Sequence, residues 1–488
     1  MSHRTVDSGA APMRMAAIAA LLALSGCVNG PALQPTPVPP PPGAFKESSG
    51  HWSALAPADA QPRGAWWRSF DDPVLDDLLT RAGAANTSLQ IAAARVVEAQ
   101  ALLRSTNADR IPQVGVGFGA SRATVTPGTG TSPNEALTNV NAGAAVSWQA
   151  DLFGKVSKAV HAAELDEQAR AALLQNTRLL VQAQVAQTYF ELRALDAERD
   201  LVRDTVGAYR NTLQLTESRY KAGDVAELDF ARVRTEVAET ESEALSLDRR
   251  RAKTEHALAL LLGEVPSGFT MAEGAWNGSP PSIPAGVPSA VLARRPDVAA
   301  AERSMQAAEA RVGVARTAWF PDLALTANAG YASNDLSDLF KWSARAWGIG
   351  ALLSLPVIDG GRRSANLQRA NAQWDEAAGD YRENVLNAFR EVEDELSEIR
   401  ILGEQARAQA DAVDAAVVAT RLSASRYKNG YVSQLELLDA RRSELDNRRR
   451  ALQVRSDQYQ ATVGLIRALG GGWEPAGDAR SSTPAPGA

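Results

Sequence analysis

Arg219-Tyr220-Lys221-Ala222-Gly223 and Arg426-Tyr427-Lys428-Asn429-Gly430 are one motif written twice, 207 positions apart. Leu262-Gly263 and Leu469-Gly470 repeat at the same spacing. Further upstream, Asn86-Thr87-Ser88-Leu89 through Ile111-Pro112 aligns without a gap with Arg295-Pro296-Asp297-Val298 through Phe320-Pro321, 209 positions later. The two-residue change in spacing falls between Pro112 and Gly154, where a loop can differ in length. Matching anchors on both sides of a small indel mark an internal duplication, not a short solenoid repeat.

Each copy has the same order of elements. A helix (87–110; 295–319) runs into a proline, and two alternating segments follow (strands 112–125 and 139–152; 321–333 and 346–357). A helical hairpin completes the unit (155–262; 361–469), its two arms meeting at Gly223 or Gly430. In the alternating segments, Val114, Val116, Phe118 and Ala120 are separated by Gly115, Gly117 and Gly119. Leu323, Leu325, Ala327, Ala329 and Tyr331 likewise alternate with Ala324, Thr326, Asn328 and Gly330. A period of two over about ten residues, apolar on one face and small or polar on the other, fits a membrane-barrel strand. Four strands cannot close a barrel, since the smallest membrane barrels have about 8. Other copies of the chain must therefore complete the ring.

The first arm of each hairpin is too long for a globule. Residues 155–221 contain no proline and one internal glycine, Gly207. Such a helix reaches roughly 100 Å at 1.5 Å per residue. In the second copy, Leu367, Ala370, Trp374, Ala377, Tyr381, Val385, Ala388, Val392, Leu396 and Ile399 step by three and four. That spacing describes a coiled-coil-like seam. Arg249-Arg250-Arg251 and Arg448-Arg449-Arg450, with acidic residues nearby, read as solvated helix faces.

Composition narrows the function. The 488 residues carry a net charge of −6, which argues against nucleic acid as a partner. Four scattered histidines offer no metal-ligand spacing, and no nucleophile–base pair stands out, so an enzyme is not expected. The single cysteine, Cys27, excludes an intramolecular disulfide. It follows Arg14, a short apolar run from Met15 to Leu24, and then Ser25-Gly26. That run has the order of a secretory signal and is too short to span a bilayer. Leu24-Ser25-Gly26-Cys27 resembles a lipobox, with Cys27 as the lipidated first residue of the mature chain. Val28, in place of Asp, favours sorting to the outer membrane. The Pro-rich stretch Pro31–Pro42 suits an extended tether. The chain is accordingly divided into a signal peptide (1–26), a lipid anchor and tether (27–65), a first repeat (66–275), a second repeat (285–473) and a flexible tail (474–488).

With these features the sequence resembles the TolC family of outer-membrane factors, in its lipoprotein branch. The likeness runs from about Trp66 to Trp473. Its most specific stretches are Ala293-Arg294-Arg295-Pro296-Asp297-Val298 through Glu302, then Val312-Gly313-Val314-Ala315, and Trp319-Phe320-Pro321. The resemblance implies a mainly α fold with a transmembrane β part. In it a homotrimer would form a 12-stranded β-barrel, four strands from each protomer, continuous with a long periplasmic α-helical barrel. It also implies docking on a periplasmic adaptor and an inner-membrane transporter, with drugs or toxic solutes passing outward. No cofactor is implied beyond the covalent lipid.

Glu436 and Asp439 lie three residues apart on the helix after the second turn and so share a face. Facing an axis, three copies would form a ring of six carboxylates, selective for cations. By resemblance these two match the acidic constriction of the periplasmic gate. Asp229 and Tyr427 match residues that lock neighbouring tips, and the turns at Gly223 and Gly430 match the docking ends. Val432 stands where some members carry a lock arginine. Two rivals are a duct of the same fold serving type I protein secretion, and a periplasmic coiled-coil scaffold. The lipobox disfavours the first, and the four strands disfavour the second.

Overall fold

The computed structural model describes residues 40–47, 65–124, 136–274, 276, 278–283, 291 and 294–471. Cys27 and its lipobox, most of the Pro-rich tether, Trp473 and the 474–488 tail lie outside these residues. Seven α-helices are described: α1 (Pro73–Ala85), α2 (Thr87–Ala108), α3 (Lys155–Lys221), α4 (Glu227–Leu261), α5 (Pro296–Thr317), α6 (Arg362–Lys428) and α7 (Gln434–Ala468). Four strands accompany them: β1 (Gln113–Thr124), β2 (Ala136–Ala150), β3 (Asp322–Ser333) and β4 (Arg345–Ser354). β2 begins three residues before its expected start. Contacts divide the chain into two compact units. One holds 96–170 and 300–382; the other holds 40–95, 171–299 and 383–471.

The first unit contains the sheet. Its strands pair antiparallel in the order β1-β2-β3-β4, so the repeats join through β2 and β3. Register sorts the side chains by face. Val116, Ala144, Ala329 and Trp347 share one rung, and Val114, Val146, Ala327 and Ile349 the next. On the other face, Gly115 pairs with Ala145, Ala145 with Asn328 and Asn328 with Gly348. Val116 is 88% exposed, Trp347 76% and Ile349 82%. A sheet built for water would bury such a face; a sheet built for lipid presents it. Among the described residues, the outer edges of β1 and β4 have no partner strand, and open edges are not viable in hydrocarbon.

Asp151 and Asp359 start the long helices. Asp151 accepts from the amides of Val156 (3.0 Å) and Ser157 (2.8 Å), and Asp359 from those of Gly361 (3.1 Å) and Arg363 (3.0 Å). Each carboxylate fills amides that a helix start leaves unpaired. The seam residues Leu367, Ala370, Trp374 and Ala377 of α6 pack on Met305, Ala308 and Val312 of α5.

The second unit contains the largest core. Leu75, Leu78, Leu79 and Ala82 of α1 meet Val185, Tyr189 and Phe190 of α3, Leu258 of α4, and Tyr459, Val463 and Ile466 of α7. Phe190 lies 4.5 Å from Tyr459, ring to ring. The sequence reading missed α1, although Asp72-Pro73 followed by apolar residues at 75, 78, 79 and 82 is a capped amphipathic start. The duplication persists in the packing. The Asn86 side chain donates to the Leu261 carbonyl (2.7 Å), and Arg295, its counterpart, donates to the Ala468 carbonyl (3.0 Å). Different residue types thus close the same helix end in each copy.

Candidate functional site

The two hairpin tips end in the same backbone device. Gly223 and Gly430 have φ of +79° and +77°. At the first tip the Gly223 amide bonds the Tyr220 carbonyl (3.0 Å) and the Asp224 amide bonds that of Arg219 (2.8 Å). At the second, Gly430 reaches Tyr427 (3.0 Å) and Tyr431 reaches Arg426 (2.9 Å). These paired bonds are the Schellman closure, which needs a left-handed residue and favours glycine.

The side chains differ. Tyr220 stacks on Phe230 at 5.5 Å with rings 1° from parallel, which fastens the first tip to itself. Half-buried Asp229 faces Arg232 at 3.9 Å, one turn along α4. At the second tip the Tyr427 hydroxyl donates to Gln434 Oε1 (3.1 Å). The buried Gln434 amide donates in turn to Thr216 of α3 (2.9 Å), so this tip is tied to the first repeat. Within one chain, Asp229 and Tyr427 thus have separate partners.

Glu436 and Asp439 lie together on the exposed side of α7, while Gln434, Leu437 and Leu438 face inward. Ser433 caps this helix, accepting from the Glu436 amide (3.4 Å). The carboxylate of Glu436 reaches Arg426 only at 4.0 Å, and its side chain is 51% exposed. Asp439 has no ion-pair partner among the described residues. The repeats give this acidic pair a counterpart: 207 positions earlier stand Asp229 and Arg232, an opposite-charge pair. The same helix face is thus nearly neutral at one tip and doubly negative at the other.

Contacts between the two hairpins were not legible from spacing. Arg441 donates to Thr212 (2.8 Å), and Arg442 pairs with Glu236 and, at 3.7 Å, with Glu239. Arg449 bonds Glu198 (2.8 Å) and Glu243 (2.6 Å). Within the first hairpin, Arg251 of α4 bonds Asp196 of α3 (2.6 Å) and the Met271 carbonyl (2.8 Å). Arg251 and Arg449 therefore leave the solvated faces expected for the arginine runs, because each finds acidic partners on a packed neighbour. No helix among the described residues is long and apolar enough to cross a membrane.

A strand pair from each repeat, joined in one sheet with an exposed apolar face and with both edges open among the described residues, together with two long hairpins, defines a channel subunit of the outer membrane. A family model described as outer membrane efflux protein matches residues 78–264 and 287–471, and the chain belongs to that family. It is 33% identical over 465 residues to the solvent efflux pump outer membrane protein SrpC of Pseudomonas putida, covering 93% of this chain and 97% of that one. It is 31% identical over 466 residues to the cation efflux system protein CusC of Escherichia coli K12, covering 94% and 100%. Among solved structures, the outer-membrane channel OprN superimposes with a TM-score of 0.82 at 28% identity, over 92% of this chain and all of that one.

Proposed function

We propose that the chain forms the outer-membrane duct of a tripartite efflux pump as a homotrimer, tethered through lipid on Cys27. Three four-stranded sheets then join edge to edge into a 12-stranded barrel, which removes every open edge. The tips meet a periplasmic adaptor and an inner-membrane transporter, and drugs or other toxic solutes pass outward without a catalytic step. The observation that carries this reading is the sheet: one face of large exposed apolar residues, and two edges that no strand among the described residues covers.

In this reading Glu436 and Asp439 form the acidic constriction of the gate, with Asp229 and Tyr427 steadying the tips and Gly223 and Gly430 marking the docking ends. Their exposure on one face of α7, with little cationic compensation, supports the assignment. The test is single-channel conductance of the detergent-purified protein in a planar bilayer, wild type beside Glu436→Ala/Asp439→Ala. Small cation-selective steps are expected, growing and losing selectivity in the variant. Absence of conductance from a well-folded oligomer would overturn the duct, and steps unchanged by the substitutions would move the constriction elsewhere.

A further inference from the structure

The seam between the two repeats is closed by charge as well as by backbone. Lys155, the first residue of α3, follows β2, and Asp322 opens β3; their side chains pair at 3.2 Å. Because β2 and β3 are neighbours, this ion pair sits where one repeat meets the other, at the end of the sheet from which the long helices leave. The start of β1 and the finish of β4, the two edge strands, lie at the same end.

The duplication gives both members of that pair a counterpart on the edges. Lys155 corresponds to Arg362, 207 positions on and again the first residue of its helix. Asp322 corresponds to Gln113, 209 positions before and again the first residue of its strand. The cation is kept and the carboxylate has become an amide. Arg362 is exposed and has no ion-pair partner among the described residues. The nearby carboxylate of Asp359 is taken by Arg363 at 2.7 Å and by the Gly361 and Arg363 amides. On the other edge the Gln113 side chain donates to the Ala108 and Ile111 carbonyls (2.9 and 3.2 Å), and the adjacent Asp109 and Arg110 offset each other in charge. The chain beside Arg362 is apolar. Leu353 lies on the apolar face of β4, and Val357 and Ile358 beyond it are 82% and 93% exposed.

In a ring of three, β4 of one protomer meets β1 of the next, so each seam between protomers holds a lone arginine where the seam within a protomer holds an ion pair. A cation without a counter-ion at the margin of hydrocarbon is unfavourable. We propose that Arg362 binds the phosphate of an anionic phospholipid of the phosphatidylglycerol type, whose chains lie along Val357 and Ile358, and that this lipid closes the seam between protomers. The guanidinium fork matches phosphate oxygens, and an anionic head on acyl chains satisfies the cation and the exposed apolar residues together. Lys155 is already neutralised, so the inner seam has no such site. The inference rests on the trimeric duct reading and names the ligand of its subunit boundary.

The test reads the temperature at which the full-length trimer gives monomer, in nanodiscs of phosphatidylcholine with or without phosphatidylglycerol. Phosphatidylglycerol should raise that temperature for the wild type, and inorganic phosphate added to phosphatidylcholine discs should not. Arg362→Gln should abolish the rise. Gln113→Asp restores the missing carboxylate; it should raise the temperature in phosphatidylcholine alone and abolish the further gain from phosphatidylglycerol. A rise of equal size in wild type and Arg362→Gln, or one that survives in Gln113→Asp, would overturn the lipid site. So would a response to inorganic phosphate equal to that to the lipid. Equal losses in phosphatidylcholine for Asp109→Asn and Arg362→Gln would put an ion pair between subunits in the lipid's place and overturn it as well. A chain that inserts and never forms a trimer would defeat the trimeric reading, an outcome separate from a trimer that ignores phosphatidylglycerol.

Discussion

The first and second hairpin tips share a backbone turn bond for bond and share almost nothing of what their side chains do. The first is closed on itself, with Tyr220 stacked on Phe230 and Asp229 set against Arg232. The second reaches outward: Tyr427 and Gln434 tie it to Thr216, and Glu436 and Asp439 leave negative charge exposed. The difference teaches that duplication kept the scaffold and freed the surface. The turn is constrained by φ near +78°, which glycine meets at no steric cost. The helix faces beside it are constrained by nothing local, so one copy became a strut and the other acquired charge and reach.

That comparison can be broken most forcefully at the scaffold. Gly263 has φ of +72°, and a Cβ there would strike the Ala85 carbonyl; Gly470, its counterpart at +88°, would bring a Cβ to 3.0 Å from the Arg294 carbonyl. The tip glycine Gly223 has open space around it. Gly263→Ala should therefore cost about 3 kcal/mol, Gly470→Ala about 2 and Gly223→Ala about 1, from left-handed strain plus crowding. Thermal midpoints in detergent check the order. Equal losses at all three sites would mean that strain alone, without packing, sets the turns.

A smaller effect sharpens the contrast between the copies higher on the same hairpins. Glu395 of α6 lies across Gly464 of α7, where a Cβ would meet its carboxyl group. The equivalent residues in the first repeat are Thr188 and Ala257, which carry no charge. Burial, reinforced by the charge of Glu398, pushes the Glu395 carboxyl up to about 7. Between pH 4.5 and 7 the native chain holds a proton that the unfolded chain has released. The stability this contributes is complete below about 4.5 and is lost as pH rises through 7. Glu395→Gln should then leave the stability nearly unchanged at pH 5 and raise it at pH 8 by no more than about 2 kcal/mol, read as a higher thermal midpoint at pH 8 alone. An equal change at both values would show that the group does not titrate in this range.

The smallest expected change concerns the tip faces. Arg232→Asp gives the first tip the acidic pair of the second. Cation-over-anion permeability, read from reversal potentials in a salt gradient, should rise by about threefold. No change would mean that the first tip faces away from the ion path, and that the two tips differ in position as well as in charge.

Much of this architecture was legible in the sequence, for reasons that differ by element. The strands announced themselves because lipid outside and a small-residue face inside enforce strict alternation, as in Val114, Val116 and Phe118 against glycines. The long helices were visible from 67 residues without proline, and the tips from glycines that recur at one spacing. α1 is legible as well, since Asp72-Pro73 and four apolar residues are a sufficient signal. The partners were not legible. Thr216 and Gln434 are 218 positions apart, and nothing in either local pattern favours the other. Arg251 and Arg449 sat within charged runs whose neighbours also suited a solvated face. At the tip, helical spacing put Glu436 and Asp439 on one side of α7, but it named no partner for Tyr427 or Asp229.

The seam between the repeats has a further consequence in time. β2 is paired along eleven residues with β3, and β3 begins 172 positions after β2 ends. At ribosomal rates of about 5–20 residues per second, the first half of the chain waits roughly 10–30 s for the strand that covers it. During that interval the first hairpin of strands carries the open β2 edge in addition to the β1 edge and the apolar face that the finished sheet keeps exposed, the combination most prone to indiscriminate pairing. The chain is thus born with its stickiest surface half finished, and escort on the way to the membrane is a demand written into the order of its strands.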